Sequence, residues 1–566
     1  METFNLPNCS MFDAVSYNDS EKSLNGSFRN VDIFLAAGFS NVTGIIMIFF
    51  FNAILYNNYA ISSLKIKFCE FFTEKNISRI IVLSVLVLIM PLVTVVLILA
   101  LIYKFLCSVA IRCKDKNFVA FLDSFDVFWC LEDDTSKNII NVIGVIEAKS
   151  SESLVECMKT KLKSVFTVEC GEKIFYRRNE DFGFYYWLKY SEDSVDIEQY
   201  VKIVELPNEC EEAKLTDLEN FMTTIEHQSL PCENEGLFQI LVINNRIGNY
   251  SSFRGDYGVI FRIHHSVGDG VALIEFLCKT LADEKDCCPI NMFTSQEAFN
   301  IRNSSPEAIL GMIKKLTNIP LCFVDGIIRK PDENPLHGKK LSGRKIFKWL
   351  DLDKNILEMV KDLKNNLEGY RFSDVLMIAL SGGLRKYFLE QRTQKLPDDM
   401  AVVLPIRFPQ KVKKSNPKLG NDFSVTILDL PLKYHQIYEI KKRCDCVRES
   451  ADPLKNYYFL KIVNSVLPKQ ILQPLMNSSQ ASMVFSNLPG PECLSICGGK
   501  ILKSLVFFVP HKGNTGLCVT ALCYGGVLRF GAMADAALVP NGDNLAYILE
   551  GMAEEIRRLH KIHVHN

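Results

Sequence analysis

The stretch that decides the reading of this chain is Tyr257-Gly258-Val259-Ile260-Phe261-Arg262-Ile263-His264-His265-Ser266-Val267-Gly268-Asp269-Gly270. Its first half is mostly β-branched and aromatic, the composition of a buried strand. From Val271 the pattern changes: Val271, Ile274, Leu277, Cys278 and Leu281 recur at helical spacing, which predicts a helix over Gly270–Ala282. Two histidines, a carboxylate and two glycines therefore sit on a strand-to-helix turn. Adjacent strand residues point to opposite faces, so His264 and His265 do not readily share one metal ion. The alternation predicts a division of labour, one ring facing a cavity and the other packing. A neutral imidazole is suited to take a proton from a hydroxyl near neutral pH. Gly268 and Gly270 permit unusual backbone angles and leave room for a substrate. Asp269 is expected to fix the turn, with an arginine elsewhere in the chain as the candidate partner. The plainer reading, two structural histidines at a strand end, stands beside this one.

The rest of the composition narrows the class. With 566 residues there is room for several domains, and a net charge of −1 gives no electrostatic case for nucleic acid. The 19 cysteines include no Cys-x-x-Cys pair and show no compact spacing. They read as reduced, core-filling thiols rather than a disulfide framework. No Gly-x-Ser-x-Gly elbow and no phosphate-binding glycine loop is present. His560, His563 and His565 near the C-terminus read as a frayed tail rather than a metal site, and no metal is expected.

Ile80 to Tyr103 is 24 residues without a charge, long enough to cross a bilayer, with Pro91 inside it. Ile33 to Tyr56 is a weaker second candidate, diluted by Ser40, Asn41, Thr43 and Asn52. One or two membrane helices are therefore expected after a polar tail over 1–32. The tail carries glycosylation triplets at Asn8, Asn18 and Asn25. Basic residues do not set the orientation: Lys65, Lys67, Lys75 and Arg79 lie between the two runs, and Lys104, Arg112, Lys114 and Lys116 follow the second.

From Asn117 onward the pattern is mixed α/β without repeats. Strand-like runs cover 141–146, 238–243, 259–263, 400–405, 425–430, 482–485 and 505–509. Leu517–Tyr524 and Val527–Met533 flank Gly525-Gly526, a hairpin signal because the turn needs positive φ. Ser373–Glu390 reads as a helix capped by Ser373. Residues 289–345, rich in Asn, Pro and Lys, read as a linker between a lobe over 117–288 and a second over 346–566.

His264-His265-Ser266-Val267-Gly268-Asp269-Gly270 fits the HHxxxDG signature of the chloramphenicol-acetyltransferase-like superfamily, which includes condensation domains. Within it the chain resembles the wax ester synthase/diacylglycerol acyltransferase family, over about residues 118–558. Five further blocks resemble the family's in order: Phe121–Glu132, Asn334–Arg344, Arg371–Tyr387, Leu419-Gly420-Asn421 and Ser486–Pro491. His337 and Ser373 stand where the family has asparagines. The resemblance implies two α/β lobes with a central cleft. It makes His265 the general base that deprotonates an acceptor hydroxyl for attack on an acyl-CoA thioester. His264 and Asp269 complete the motif, Asp269 in a structural role, and Gly270 keeps the tunnel open. Asn421 and Ser373 are the candidates for contacts with substrate. Acyl-CoA is then a co-substrate and no cofactor is implied. The acceptor is a fatty alcohol or a diacylglycerol, and the setting is a membrane, the endoplasmic reticulum or plasma membrane, with the catalytic part cytosolic.

Two other readings remain. A non-catalytic lipid-binding relative would share the fold. His264 and Asp269 also satisfy the H-x-x-x-x-D spacing of membrane glycerolipid acyltransferases, although the chain lacks their downstream Pro-Glu-Gly motif.

Overall fold

The run that ends at His264 is the middle of a sheet. The computed structural model describes residues 74–165, 172–207, 212–231, 236–248, 255–283, 306–393, 395–407, 419–433, 437–477 and 480–564. The second membrane candidate and the three glycosylation triplets lie outside them. Within the described part, β8 (Asp256–His264) pairs antiparallel with β2 (Ile139–Glu147) and β7 (Phe238–Ile247). Nearly every residue of β2 and β8 is buried, so these strands read as continuous apolar runs. The seven-stranded sheet continues through β5 (Val201–Val204) on one side, with β6 (Glu212–Ala213) beside β7. On the other side it takes in β14 (Lys500–Phe508) and β13 (Leu494–Ile496). Residues 494–508 thus leave the C-terminal half of the chain and complete the sheet of the N-terminal half.

The second sheet has six strands in the order β11 (Ser424–Pro431), β10 (Asp399–Ile406), β12 (Met483–Pro489), β15 (Leu517–Tyr524), β16 (Val527–Asp535), β9 (Lys345–Asp351). The hairpin β15–β16 turns through Gly525 and Gly526 at φ +57° and +73°, as the glycine pair predicts. Helices α7 (Lys354–Asn366), α8 (Phe372–Glu390) and α12 (Gly542–His563) share its core. α8 is apolar almost all round and buried to match, the signature of a helix inside a core. Gly383 lets it press against α12: a Cβ there would lie 2.2 Å from the Ile548 carbonyl oxygen. The two sheets share a third core, in which the rings of Phe347 on β9 and Phe508 on β14 meet at 5.1 Å.

A three-stranded sheet, β1 (Phe118–Phe121), β4 (Phe184–Leu188) and β3 (Arg177–Asp181), stands apart from both. α2 (Ser124–Cys130), α3 (Ser151–Val165) and α4 (Leu215–Ile225) belong to the first half; α9 (Ile437–Glu449), α10 (Asp452–Val466) and α11 (Lys469–Met476) belong to the second. Residues 1–89 and 90–566 form two units. The first is described only over 74–89, the opening turns of α1 (Glu74–Lys114). α1 is long and apolar enough to cross a membrane over Asn76–Lys114, with Pro91 inside it.

Four expectations change. The helix at Gly270 is α5 (Gly270–Phe276); residues 277–281 widen into a π-turn, and the chain then straightens because the Asp283 N–H bonds to Ser495 O on the edge strand β13. The segment 289–345 holds α6 (Pro306–Ile328), fixed by the packing of Phe323 on Phe459 and by Lys455 Nζ on Cys322 O. Ser373 is not a cap: α8 begins after Arg371, whose N–H bonds to Asp374 Oδ2 at 2.9 Å, and Ser373 is exposed one residue inside the helix. The C-terminal histidines are not frayed up to His563, since His560 is buried and bonds to Asp362 at 3.1 Å.

A Gly383→Ala substitution should destabilise the chain by about 1–3 kcal/mol, the usual cost of overpacking. Chemical denaturation of both forms checks this, and an unchanged midpoint would show that α8 and α12 can move apart.

Candidate active site

β8 carries the two histidines to the mouth of the first sheet, and three other chain segments converge on them. The His265 N–H bonds to Asn138 O at 2.9 Å, which ties the turn to the start of β2. Asp269 caps α5: its Oδ1 accepts from the N–H groups of Val271 at 3.1 Å and Ala272 at 3.0 Å. Its Oδ2 accepts from Asp422 N–H at 3.1 Å, and its own N–H bonds to Gly420 O at 3.2 Å. The expected fixing role is met by backbone amides, which also staple Gly420 and Asp422 to the turn, and the charge of Arg407 supplies the expected arginine. Gly268 lies in this close approach: a Cβ there would lie 3.3 Å from the Ala272 Cβ and 3.4 Å from the backbone of Gly420.

Asn421, held in that staple, reaches His265. Its Nδ2 donates to Asp126 Oδ1 at 2.9 Å and to His265 O at 2.7 Å. Both partners are acceptors, so the amide nitrogen belongs on that side. Its Oδ1 therefore faces His265 Nδ1 at 3.1 Å, and an oxygen there requires Nδ1 to carry the ring proton. The Nε2 lone pair is left free, and Nε2 has no hydrogen bond among the described residues. Asp126 is itself fully buried and held by Lys173 Nζ at 2.7 Å; the same amine donates to Ser266 O at 3.0 Å. Burial raises the Asp126 carboxyl above the ordinary range, while Lys173 and Asn421 pull it down.

The two rings have separate partners. The Trp129 indole stacks on His265 with centroids 3.7 Å apart and planes inclined by 12°. His264 is occupied at both nitrogens: Nδ1 lies 2.7 Å from Ser266 Oγ, and Nε2 lies 2.8 Å from Arg178 and 3.1 Å from Glu132. No hydrogen bond joins His264 to Asp269 among the described residues, so the H-x-x-x-x-D pair does not form a dyad. Burial lowers the pKa of His265 to about 3; burial and then the Arg178 charge lower that of His264 to about 4. Both rings are neutral at physiological pH.

An apolar cavity of about 100 Å³ lies against this turn. Phe238, Phe261, Val267, Gly270, Leu277 and Leu488 are among its walls. Gly270 faces Leu488: a Cβ there would meet its Cδ1 at 2.4 Å. The π-turn places Leu277 and Leu281 in the same wall.

Of the residues singled out by sequence, His264, His265, Asp269, Gly270 and Asn421 come together. Ser373 does not join them, since its helix neighbour Asp374 pairs with Arg448 of α9 at 2.7 Å. Asp126, Trp129 and Lys173 were not singled out. Asp126 and Trp129 lie in the Phe121–Glu132 block, where an acid amid aromatic residues was the available signal. Lys173 carries no local signal.

The fold is the chloramphenicol-acetyltransferase-like, condensation-type α/β fold. It superposes on wax ester synthase/diacylglycerol acyltransferase from Marinobacter aquaeolei with a TM-score of 0.51 at 17% identity, over 78% of this chain and all of that one. It superposes on trichothecene 15-O-acetyltransferase of Fusarium sporotrichioides with a TM-score of 0.51 at 11% identity, over 77% and 94%. Residues 419–559 match the family model described as the WS/DGAT C-terminal domain. The chain is 22% identical over 340 residues to wax ester synthase/diacylglycerol acyltransferase 2 of Arabidopsis thaliana, covering 51% of this chain and 67% of that protein. It is 22% identical over 399 residues to the O-acyltransferase WSD of Acinetobacter baylyi, covering 65% and 81%. The chain is thus similar to wax ester synthase/diacylglycerol acyltransferase proteins, in line with the resemblance of its ordered motifs.

Two measurements test the geometry. Asn421→Leu frees the ring to change tautomer, and turnover should fall about ten- to hundredfold, the kinetic equivalent of the ~1.5–3 kcal/mol of a hydrogen bond to a charged group. An unchanged turnover would mean that Asn421 does not set the tautomer. Acid should act on stability before it protonates His265 in the folded chain. The lowered pKa values keep both rings neutral in the folded chain, while the unfolded chain takes up their protons near pH 6.5. Stability should therefore decline as pH falls from about 6.5 towards 4, while the acid limb of kcat/KM lies below pH 5. An inflection in activity near 6.5 would contradict the buried environment of His265.

Proposed function

We propose that this chain is a membrane-anchored, acyl-CoA-dependent O-acyltransferase that esterifies a long-chain alcohol or a diacylglycerol. The relatives support acyltransferase function: the Arabidopsis thaliana and Acinetobacter baylyi proteins are acyltransferases by name. The observation that carries the finer reading is the chain Asp126–Asn421–His265, which leaves Nε2 bare on a turn whose next residues, Val267 and Gly270, line an apolar cavity.

The chemistry follows from that arrangement. The acceptor hydroxyl bonds to His265 Nε2 and gives up its proton as its oxygen attacks the thioester carbonyl. The C–O bond forms, the C–S bond breaks, and the proton passes from Nε2 to the departing thiolate. The low pKa of His265 disfavours a lasting imidazolium, so the ring hands the proton on rather than storing it. The Trp129 face against the ring stabilises the transient positive charge. The acyl chain occupies the cavity between β8 and α5, where the walls exclude water. His264 and Asp269 hold the turn, and Asn421 acts on His265 rather than on substrate. α1 holds the enzyme where its lipid acceptors are, with the catalytic body on the cytosolic face of an endoplasmic-reticulum or plasma membrane.

His265→Ala should lower transfer from a labelled acyl-CoA to hexadecanol or dioleoylglycerol by roughly a hundred- to ten-thousandfold, the usual contribution of a general base. Unchanged turnover would remove His265 from the chemistry, and a parent enzyme that esterifies neither acceptor would sink the reading itself. Gly270→Val fills the space before Leu488, so acyl chain preference should shift towards shorter chains. A selectivity profile identical to the parent's would place the acyl chain elsewhere.

A further inference from the structure

Beside the anchor helix lies an apolar surface that the chemistry leaves unused. The hairpin β3–β4 turns through Phe182 and Gly183 at φ +54° and +83°. An aromatic residue in the left-handed region is strained, and this one is 52% exposed at the tip. α11 is stapled to the same tip: the Lys469 N–H bonds to Gly183 O at 2.8 Å, and its Nζ bonds to Glu180 at 2.9 Å. α11 buries Leu472 and Met476 and turns Ile471 and Leu475 outward, 47% and 49% exposed. This eight-residue helix is therefore apolar on two faces, one more than its own core uses.

The position of the patch identifies its occupant. The uncharged run of α1 ends at Tyr103 and Lys104, an aromatic–basic pair of the kind that marks a membrane interface. Tyr103 OH donates to Phe182 O at 3.2 Å, and Lys104 Nζ donates to Ser465 O at 2.7 Å, just ahead of α11. Phe182 and α11 thus stand at the level where the helix leaves the bilayer. They also stand over the site: Gln473 of α11 donates to Glu132 O at 3.2 Å, and Arg178 at the base of the hairpin lies 2.8 Å from His264.

We infer that the β3–β4 tip and the outer face of α11 dip into the lipid interface and form the portal through which a bilayer-borne acceptor reaches His265. The bilayer covers Phe182, Ile471 and Leu475, and the strained turn holds the aromatic ring at the depth of the acyl chains. As a route for the acceptor, the portal rests on the acyltransferase reading; contact with the membrane does not.

The test uses the full chain in phosphatidylcholine vesicles with brominated acyl chains. Its three native tryptophans, Trp129, Trp187 and Trp349, are buried and give a low background. Tryptophan placed as Phe182→Trp or Leu475→Trp should lose about half its added fluorescence to shallow bromines, as for a face buried ~5–10 Å into the headgroup–acyl boundary. A Tyr438→Trp control on α9 should not. Absence of quenching at both positions, or shielding from aqueous iodide without quenching by lipid, would overturn the proposal in favour of solvent or a protein partner. In the second arm, the Phe182→Asp/Leu475→Asp double variant should esterify hexadecanol in vesicles about tenfold more slowly, a barrier change of ~1.4 kcal/mol, while turnover of water-soluble butanol is kept. Equal loss on both alcohols would reject the portal. A parent enzyme inactive on every alcohol would reject the acyltransferase reading and leave the quenching result standing.

Discussion

The amide of Asn421 is the constraint on which the rest of the site depends. Its nitrogen faces two acceptors, Asp126 Oδ1 and His265 O, and this fixes its oxygen on His265 Nδ1. A hydrogen bond between residues 156 positions apart sets the tautomer of the ring and thereby leaves Nε2 free. Asp126, 295 residues from Asn421, fixes the amide in turn. The orientation of a single buried amide thus joins α2, the HHxxxDG turn and the 419–423 segment into one unit. A flip of that amide would set its oxygen against two acceptors and its nitrogen against the Nδ1 proton, a high cost for buried groups.

The two sheets make this convergence possible. β13 and β14 come from the C-terminal half and complete the sheet that carries the histidines. The lobes therefore cannot part without breaking the ladder between β14 and β2. Asp269 reinforces the join by capping α5 with one oxygen and holding the Asp422 amide with the other. Rigidity around His265 follows from these ties, and the apolar cavity against the same turn lies wholly within the described core.

The side chains of this region are buried, and that accounts for the electrostatics. Burial dominates the lowered pKa values of both histidines and the raised value of Asp126. The motif's two histidines diverge for the same reason: a buried ring needs partners, and His264 takes Ser266, Arg178 and Glu132 while His265 takes one partner and a stacking face. The outer surface obeys the opposite rule near α1, where Phe182, Ile471 and Leu475 stay uncovered by protein.

Local sequence determined the elements whose signal is local. The alternation and apolar run before His264 marked β8, the glycine pair marked the β15–β16 hairpin, and 24 uncharged residues marked the long apolar helix α1. The same periodicity separated the two histidines. It placed the start of α5 but did not foresee its closing π-turn or the helix α6 within 289–345, because Asp283 is drawn to β13 and α6 is held by Phe459, partners far away in sequence. It chose Ser373 from position in a motif, and the fold leaves that residue exposed beside the Asp374–Arg448 pair. Asp126 and Trp129 stood in a block noticed for its order, with no sign of what they would touch. Only the tertiary structure decided the tautomer of His265, the staple at Asp269 and the placing of Phe182 beside Tyr103. Hydrogen bonds and stacking depend on distances of a few ångströms, and chain segments a hundred or more residues apart acquire those distances only when both sheets have formed.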